Sequence, residues 1–275
     1  IIGSLSGPAT LGTILHATGR SGKAYSYLMM IAAIGWVIGG ILPGLLIDYI
    51  GPIGLFTLTG LLRALAITLQ YVYYPRELIH GPEKIGFSEL FRAIKGMWEI
   101  VLSTILAIAA LSLFYNVIAL KVYSEIHNLL VYGVALSAST ALASAFVRPY
   151  AGRLVDKYDP LCIIAISLIA YIFLDTSIYL STGLLLLILY IIPIYPFRDT
   201  ATVMTISRRT PLKLQATAAG INAATTSLSG LIVLLLTNII GKNLFTAYLI
   251  HLALIMISLM TVSYTHLTLP TTERV

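Results

Sequence analysis

Arg198 and Asp199 stand side by side within a long apolar run, 184–206. They are the residues best placed to bind a solute or an ion. An ionisable group inside apolar sequence is costly in a bilayer and marks a functional path by default. Read together, they either contact a solute or coupling ion, or brace the inner half of a helical bundle as an ion pair. Asp175 lies about 20 Å of helix beyond Pro160, at 1.5 Å per residue, which predicts an interfacial position near the outer surface. Arg63, in mid-run, is expected to snorkel or to pair with a neighbouring helix. His251 carries the side chain that titrates near neutral pH, and as a lone histidine it reads first as a packed, hydrogen-bonded residue. Tyr115, Asn116 and Asn222 are polar groups in other apolar runs, able to hydrogen-bond a solute or a helix. No second His or Cys stands at ligand spacing, so neither a metal nor another cofactor is expected. The sequence has no phosphate-binding loop, nucleophile elbow or zinc-protease motif.

The elements that must position these residues are helices. Of the 275 residues, 58% are hydrophobic and 10% are charged. A soluble domain carries about 25% charged residues, so an ordinary globular enzyme is excluded. A spanning helix needs about 20 apolar residues. Runs bounded by Pro, Gly or charge cover 24–47, 53–74, 98–120, 129–147, 161–180, 184–206, 216–240 and 244–262, which is eight spans. Residues 1–18 read as the end of a ninth. Strict alternation is absent, which excludes a membrane barrel. The expected class is an all-α, polytopic helical membrane protein.

The loops alternate in charge. One set holds twelve basic residues, Arg20, Lys23, Arg76, Lys84, Arg92, Lys95, Arg148, Arg153, Lys157, Arg208, Arg209 and Lys213; the other holds only Lys121 and Lys242. Basic residues gather in cytoplasmic loops, so the loops around residues 20, 84, 153 and 209 are expected to be cytoplasmic. The same rule accounts for the net charge of +6 without nucleic acid as a partner. The single cysteine, Cys162, can form no intramolecular disulfide and reads as a small packed hydrophobe. Residues 87–98 place Phe87, Leu90, Phe91, Ile94, Met97 and Trp98 on one helical face behind a Ser88 cap, an interfacial helix by pattern.

The two ends of the chain repeat weakly at an offset of about 190 residues. Pro8 and Pro196 each precede a basic residue, Arg20 or Arg208, by twelve positions. Gly51 precedes Leu55-Phe56-Thr57, and Gly241 precedes Leu244-Phe245-Thr246. Repeats of several helices are typical of secondary transporters. The loop Arg148-Pro149-Tyr150-Ala151-Gly152-Arg153-Leu154-Val155-Asp156-Lys157 resembles the G-x-x-x-D-[RK] signature of the major facilitator superfamily, in its copy between helices 8 and 9. Gly35-Trp36-Val37-Ile38-Gly39-Gly40-Ile41-Leu42-Pro43-Gly44 resembles the G-x-x-x-G-P-x-x-G-G motif of that family's exporters, with Gly40 and Pro43 exchanged relative to it. The basic turn Arg20-Ser21-Gly22-Lys23 is similar to the family's turn between helices 4 and 5.

The resemblance implies a twelve-helix transporter fold, of which this chain covers the end of helix 4 through helix 12. Residues 1–74 would belong to the N-terminal half, 75–97 to the linker between halves and 98–262 to the C-terminal half. Residues 263–275 read as a non-native tail that resembles translated sequencing adapter. Arg198, Asp199, Tyr115, Asn116 and Asn222 are then cavity or coupling candidates. Arg148, Gly152, Arg153, Asp156 and Lys157 form a conformational latch at the loop, where Asp156 accepts bonds from a helix end or from Arg148, Arg153 or Lys157. Gly35, Gly39, Gly40, Pro43 and Gly44 form a helix-packing motif. The implied function is alternating-access transport of a small solute across the plasma membrane by a monomer, with drug or metabolite efflux in exchange for protons as the favoured form. An intramembrane enzyme acting on a lipid-linked substrate through Asp175 or Asp199, or a non-transporting membrane sensor, stand as alternatives.

Overall fold

The computed structural model describes residues 2–73, 95–126 and 134–268. Among them nine α-helices follow one another and no strand occurs. They are α1 (Ile2–Ala17), α2 (Gly22–Tyr73), α3 (Trp98–Ile126), α4 (Thr140–Lys157), α5 (Pro160–Leu180), α6 (Gly183–Ile191), α7 (Tyr195–Arg209), α8 (Gln215–Ile240) and α9 (Leu244–Thr268). A π-helical turn, Val134–Ser139, leads into α4, and a 3-10 turn, Leu212–Leu214, leads into α8. In hydrocarbon every backbone N–H and C=O must find its partner within the segment, and helices achieve this. Six stretches of the described residues are long and apolar enough to cross a membrane: Leu45–Tyr73, Trp98–Ile126, Pro160–Leu180, Gly183–Arg209, Gln215–Ile240 and Leu244–Tyr264. This is a multi-pass membrane protein.

The breaks between helices follow local chemistry. Asp159 caps α5 by accepting the N–H of Leu161 at 2.9 Å, and Pro160 opens the helix where its missing N–H costs nothing. Pro193 falls between α6 and α7 and divides the 184–206 run into two helices. The runs 24–47 and 53–74 both lie in α2, which leaves helical geometry at Gly51 (φ 65°). Gly241, the repeat partner of Gly51, has φ 61°. Both positions need a residue without a Cβ.

α3 sits at the centre, with Ala109, Ala110, Leu113, Phe114 and Ile118 fully buried. It packs chiefly on α9 and α8. Small and hydroxyl-bearing residues bring these helices together, since lipid offers no hydrophobic drive for helix association. Ser103 of α3 and Ser258 of α9 share a 2.7 Å hydrogen bond, and the Ser229 hydroxyl of α8 donates to the Ile105 carbonyl. α2 packs most closely on α4, at Gly152, where an added Cβ would lie 2.7 Å from the Gly22 carbonyl oxygen and 2.8 Å from the Lys23 Cα. α1 meets α8 at Gly12, where it would lie 2.5 Å from the Ala216 Cα. Phe56, Phe146, Phe173 and Ile239 are exposed on the outside, an arrangement suited to lipid contact.

Two sequence expectations are corrected here. Among the described residues Gly35 and Gly39 mediate no packing: a Cβ at either would meet open space. The surroundings of Gly40, Pro43 and Gly44 lie outside the described residues. Cys162 is exposed rather than packed. It shares the outward face of α5 with Ile166, Ile169 and Phe173, while Leu161, Ile164, Leu168 and Tyr171 fill the inward one. Most of the 75–97 linker, including Lys84 and residues 87–94 of the interfacial helix, lies outside the described residues. So do residues 269–275 of the tail, whereas 263–268 continue α9.

Candidate functional site

Tyr25 of α2, Arg148 of α4 and Asp199 of α7 converge on one point. The Arg148 Nη1 donates to Asp199 Oδ2 at 3.0 Å, and the Tyr25 hydroxyl donates to the same oxygen at 3.1 Å. Arg148 is almost wholly buried, and Asp199 retains 29% side-chain exposure. Beside them, the Ser26 and Thr200 hydroxyls lie 3.3 Å apart, so α2 and α7 are joined twice. Helical spacing accounts for the convergence. Tyr25, Met29, Ala33 and Trp36 lie on one face of α2, and Ala141, Ser144 and Arg148 on one face of α4.

These faces line a cavity of about 370 Å³ between α2, α4 and α7. Met29, Ala33 and Trp36 form one wall, Thr140, Ala141 and Arg148 another, and Tyr195 closes the third. The Arg148 guanidinium carbon is 5.4 Å from the Tyr195 ring centroid, a cation–π contact. Thr140 Oγ1, Ser144 Oγ and Arg148 Nε are buried without a hydrogen-bond partner. The volume suits a small organic molecule, and the unpaired donors of the lining residues Thr140 and Arg148 suit one that carries acceptor oxygens.

Arg198 and Asp199 do not form a pair. Asp199 takes Arg148 as its cation, while Arg198 turns into a small space lined by Ser103, Thr104, Ile164 and Thr202. Its Nη1 is buried there without a hydrogen-bond partner. The assignment of Arg148 to the loop latch is corrected with it, because Arg148 lies eight residues, about 12 Å of helix, before Asp156.

At the helix ends, Asp156 caps α2. Its Oδ1 accepts the Gly22 N–H at 2.8 Å and its Oδ2 the Lys23 N–H at 2.9 Å, with the Ser21 hydroxyl at 3.3 Å. A carboxylate at a helix N-terminus satisfies orphan donors and complements the dipole. The basic group that reaches it is Arg208, whose Nη2 donates to Oδ1 at 2.8 Å, and not Arg148, Arg153 or Lys157. Arg153 and Lys157 are exposed and lie over the Tyr150 and Tyr158 rings. Gly152 makes the cap possible by letting α2 approach. Arg20, at φ 63°, adopts a backbone rare outside glycine and is held there by donating to the Arg208 and Thr210 carbonyls. A helix end capped by the loop aspartate, above a cavity between α2, α4 and α7, is the arrangement to be set beside known families. The family model of the Major Facilitator Superfamily matches residues 1–234. The chain belongs to that superfamily. No curated protein matches it significantly.

Members of the superfamily are transporters rather than enzymes. One buried polar group departs from its expected place. Asp175 is fully buried between α3, α5 and α9 and not at an interface. Tyr115 donates to its Oδ1 at 2.9 Å, and His251 Nε2 lies 3.0 Å from its Oδ2. Tyr115 is therefore engaged by Asp175 rather than presented to the α2–α4–α7 cavity. Asn116 is exposed on α3; Asn222 is half-buried on α8, and its backbone carbonyl accepts from Thr225 and Thr226. The sequence carried a signal for Asp175 that simple depth ignored: it shares a helical face with Ile164, Leu168 and Tyr171. His251 likewise shares one with Ala247, Ile255, Ser258 and Val262.

Proposed function

We propose that this protein moves a small amphipathic solute out of the cell by alternating access, in exchange for protons. The solute site is the cavity between α2, α4 and α7. The observation that carries this reading is the composition of its wall: Trp36, Met29 and Tyr195 give apolar and aromatic surface, while Thr140 and the Arg148 Nε supply unused donors. Because Asp199 already neutralises Arg148, the cavity favours a neutral or singly charged, drug-like or metabolite-sized molecule over a highly charged one. Its partners are the bilayer, the solute and protons, and it works as a monomer in the plasma membrane.

In this reading Asp156 is a conformational latch. Its bonds to Gly22, Lys23 and Arg208 join helices that must separate when the molecule rocks, so the contact exists in one state and biases the equilibrium toward it. The Tyr25–Asp199–Arg148 cluster is the membrane-depth counterpart, linking α2 to α4 and α7. The test is transport of the dye Hoechst 33342 by the intact protein in proteoliposomes under an imposed proton gradient. Gradient-dependent flux that falls at least tenfold in Trp36→Ala supports the reading. Flux equal to that of empty liposomes rejects an amphipathic solute, and flux indifferent to the gradient rejects proton exchange.

A further inference from the structure

Arg198 of α7 turns into a second, much smaller space. That cavity measures about 10 Å³ and shares no lining residue with the solute cavity. Ser103 and Thr104 of α3, Leu161 and Ile164 of α5, Thr202 of α7 and Val262 of α9 surround it, and each is at most 8% exposed. Roughly 10–15 Å³ is the least that holds one water, so the space admits one atom-sized occupant. Arg198 and Thr202 stand four residues apart, on one face of α7. The Ser103 hydroxyl is engaged with Ser258, and the Thr104 hydroxyl donates to the Ile100 carbonyl at 2.7 Å. Arg198 and Thr202 are left to supply donors to an occupant.

The Arg198 Nη1 is buried there with no protein acceptor in reach. A guanidinium keeps its charge in proteins, and a buried charge without a counter-charge is strongly unfavourable. Among the described residues no carboxylate forms an ion pair with it. Asp199, its neighbour in sequence, is taken by Arg148 and Tyr25. Asp175 lies about 16 Å of helix beyond Ile164 and accepts from Tyr115. Glu99, a turn before Ser103 on α3, makes no ion pair with it either. The helix itself adds to the positive field. α7 starts at Tyr195 with no acidic residue in its first turn, so its N-terminal dipole lies uncompensated beside Arg198. A water in the space would supply an acceptor and leave the charge; an anion supplies both.

We infer that Arg198 binds a monatomic anion, chloride, in this space, with Thr202 as the second donor, and that the ion fastens α3, α5, α7 and α9 together. The site is separate from the solute cavity, and it stands whether or not the protein carries the solute proposed above. The test is thermal unfolding of the intact protein in nanodiscs, in sodium gluconate, with gluconate replaced stepwise by chloride, bromide or acetate at constant ionic strength. Chloride and bromide should each raise the melting temperature saturably, by at least about 3 °C, while acetate, a polyatomic anion, should not. Arg198→Gln should abolish the halide dependence. Where that variant does not fold, Thr202→Val, which keeps the guanidinium, should raise the half-saturating chloride concentration at least threefold. Equal melting temperatures in chloride and gluconate, or acetate as effective as chloride, overturn the inference. So does a halide dependence that survives Arg198→Gln or, where that variant does not fold, is unmoved by Thr202→Val.

Discussion

Adjacent residues on a helix point about 100° apart, so Arg198 and Asp199, neighbours in sequence, serve different spaces. The charge partner of Asp199 comes from α4. Arg148–Asp199 is a largely buried pair, and removing one member leaves a charge without its compensation. We expect Arg148→Met or Asp199→Asn alone to lower stability by about 3 kcal/mol, the low end for a buried pair because Asp199 is partly exposed. The double substitution should recover much of this loss. Thermal unfolding of the intact protein in nanodiscs checks it. A double variant as unstable as the two single losses combined would show that the residues act separately. Asp156 belongs to another class: its bond to Arg208 is half-exposed and worth about 0–1 kcal/mol, so the proposed latch would act through the state it favours rather than through stability.

Between helices, contact is decided by where side chains are absent. Gly152 admits α2 to α4, whereas Gly35 and Gly39 face open space despite their exporter-like spacing. Gly152→Val would drive a side chain into the Gly22 carbonyl and the Ser26 hydroxyl, each 2.7 Å from the new Cβ. We expect it to lower the melting temperature by several degrees, while Gly35→Ala changes it by less than about 1 °C. A Gly35→Ala variant as damaged as Gly152→Val would show that the 35–44 motif packs after all. Much of the helical plan is legible in the residues themselves. Within the described residues the eight apolar runs reappear in helical segments, though six stretches rather than eight are long and apolar enough to cross a membrane, and the Pro193, Asp159-Pro160 and Gly241 boundaries follow from their own chemistry. Merging of two runs into α2 was not legible, because a glycine between apolar stretches does not state whether the chain turns or continues.

Across the whole molecule, the charged ends separate. Arg20, Lys23, Asp156 and Arg208 meet at one end, while Lys121 bonds the Tyr179 and Ser181 carbonyls and Glu125 accepts the Gly183 N–H at another. With the basic end cytoplasmic, Lys157→Cys in a Cys162→Ser background should resist an impermeant maleimide added outside intact cells, and Lys242→Cys should react. The reverse pattern inverts the topology. Under the proposed latch, Asp156→Asn should slow transport several-fold with solute affinity unchanged, since it would weaken a contact confined to one state. A variant whose only defect is weaker solute binding would remove the latch.

Composition and periodicity alone determined that this is a helical membrane protein, and the loop signature with the charge alternation pointed to its superfamily. These properties are local or summed along the chain: an apolar run must become a helix in hydrocarbon, and a basic loop carries its charge whatever it touches. The partners of the buried charges were decided only by the tertiary structure. Arg148 reaches Asp199 across 51 positions, Asp156 reaches Arg208 across 52, and Asp175 meets His251 from another helix. Such pairings depend on the rotation of one helix against another, and that rotation is set by small residues at the contacts, Gly152, Gly12, Ser103 and Ser258 among them, acting together rather than by any one stretch of sequence.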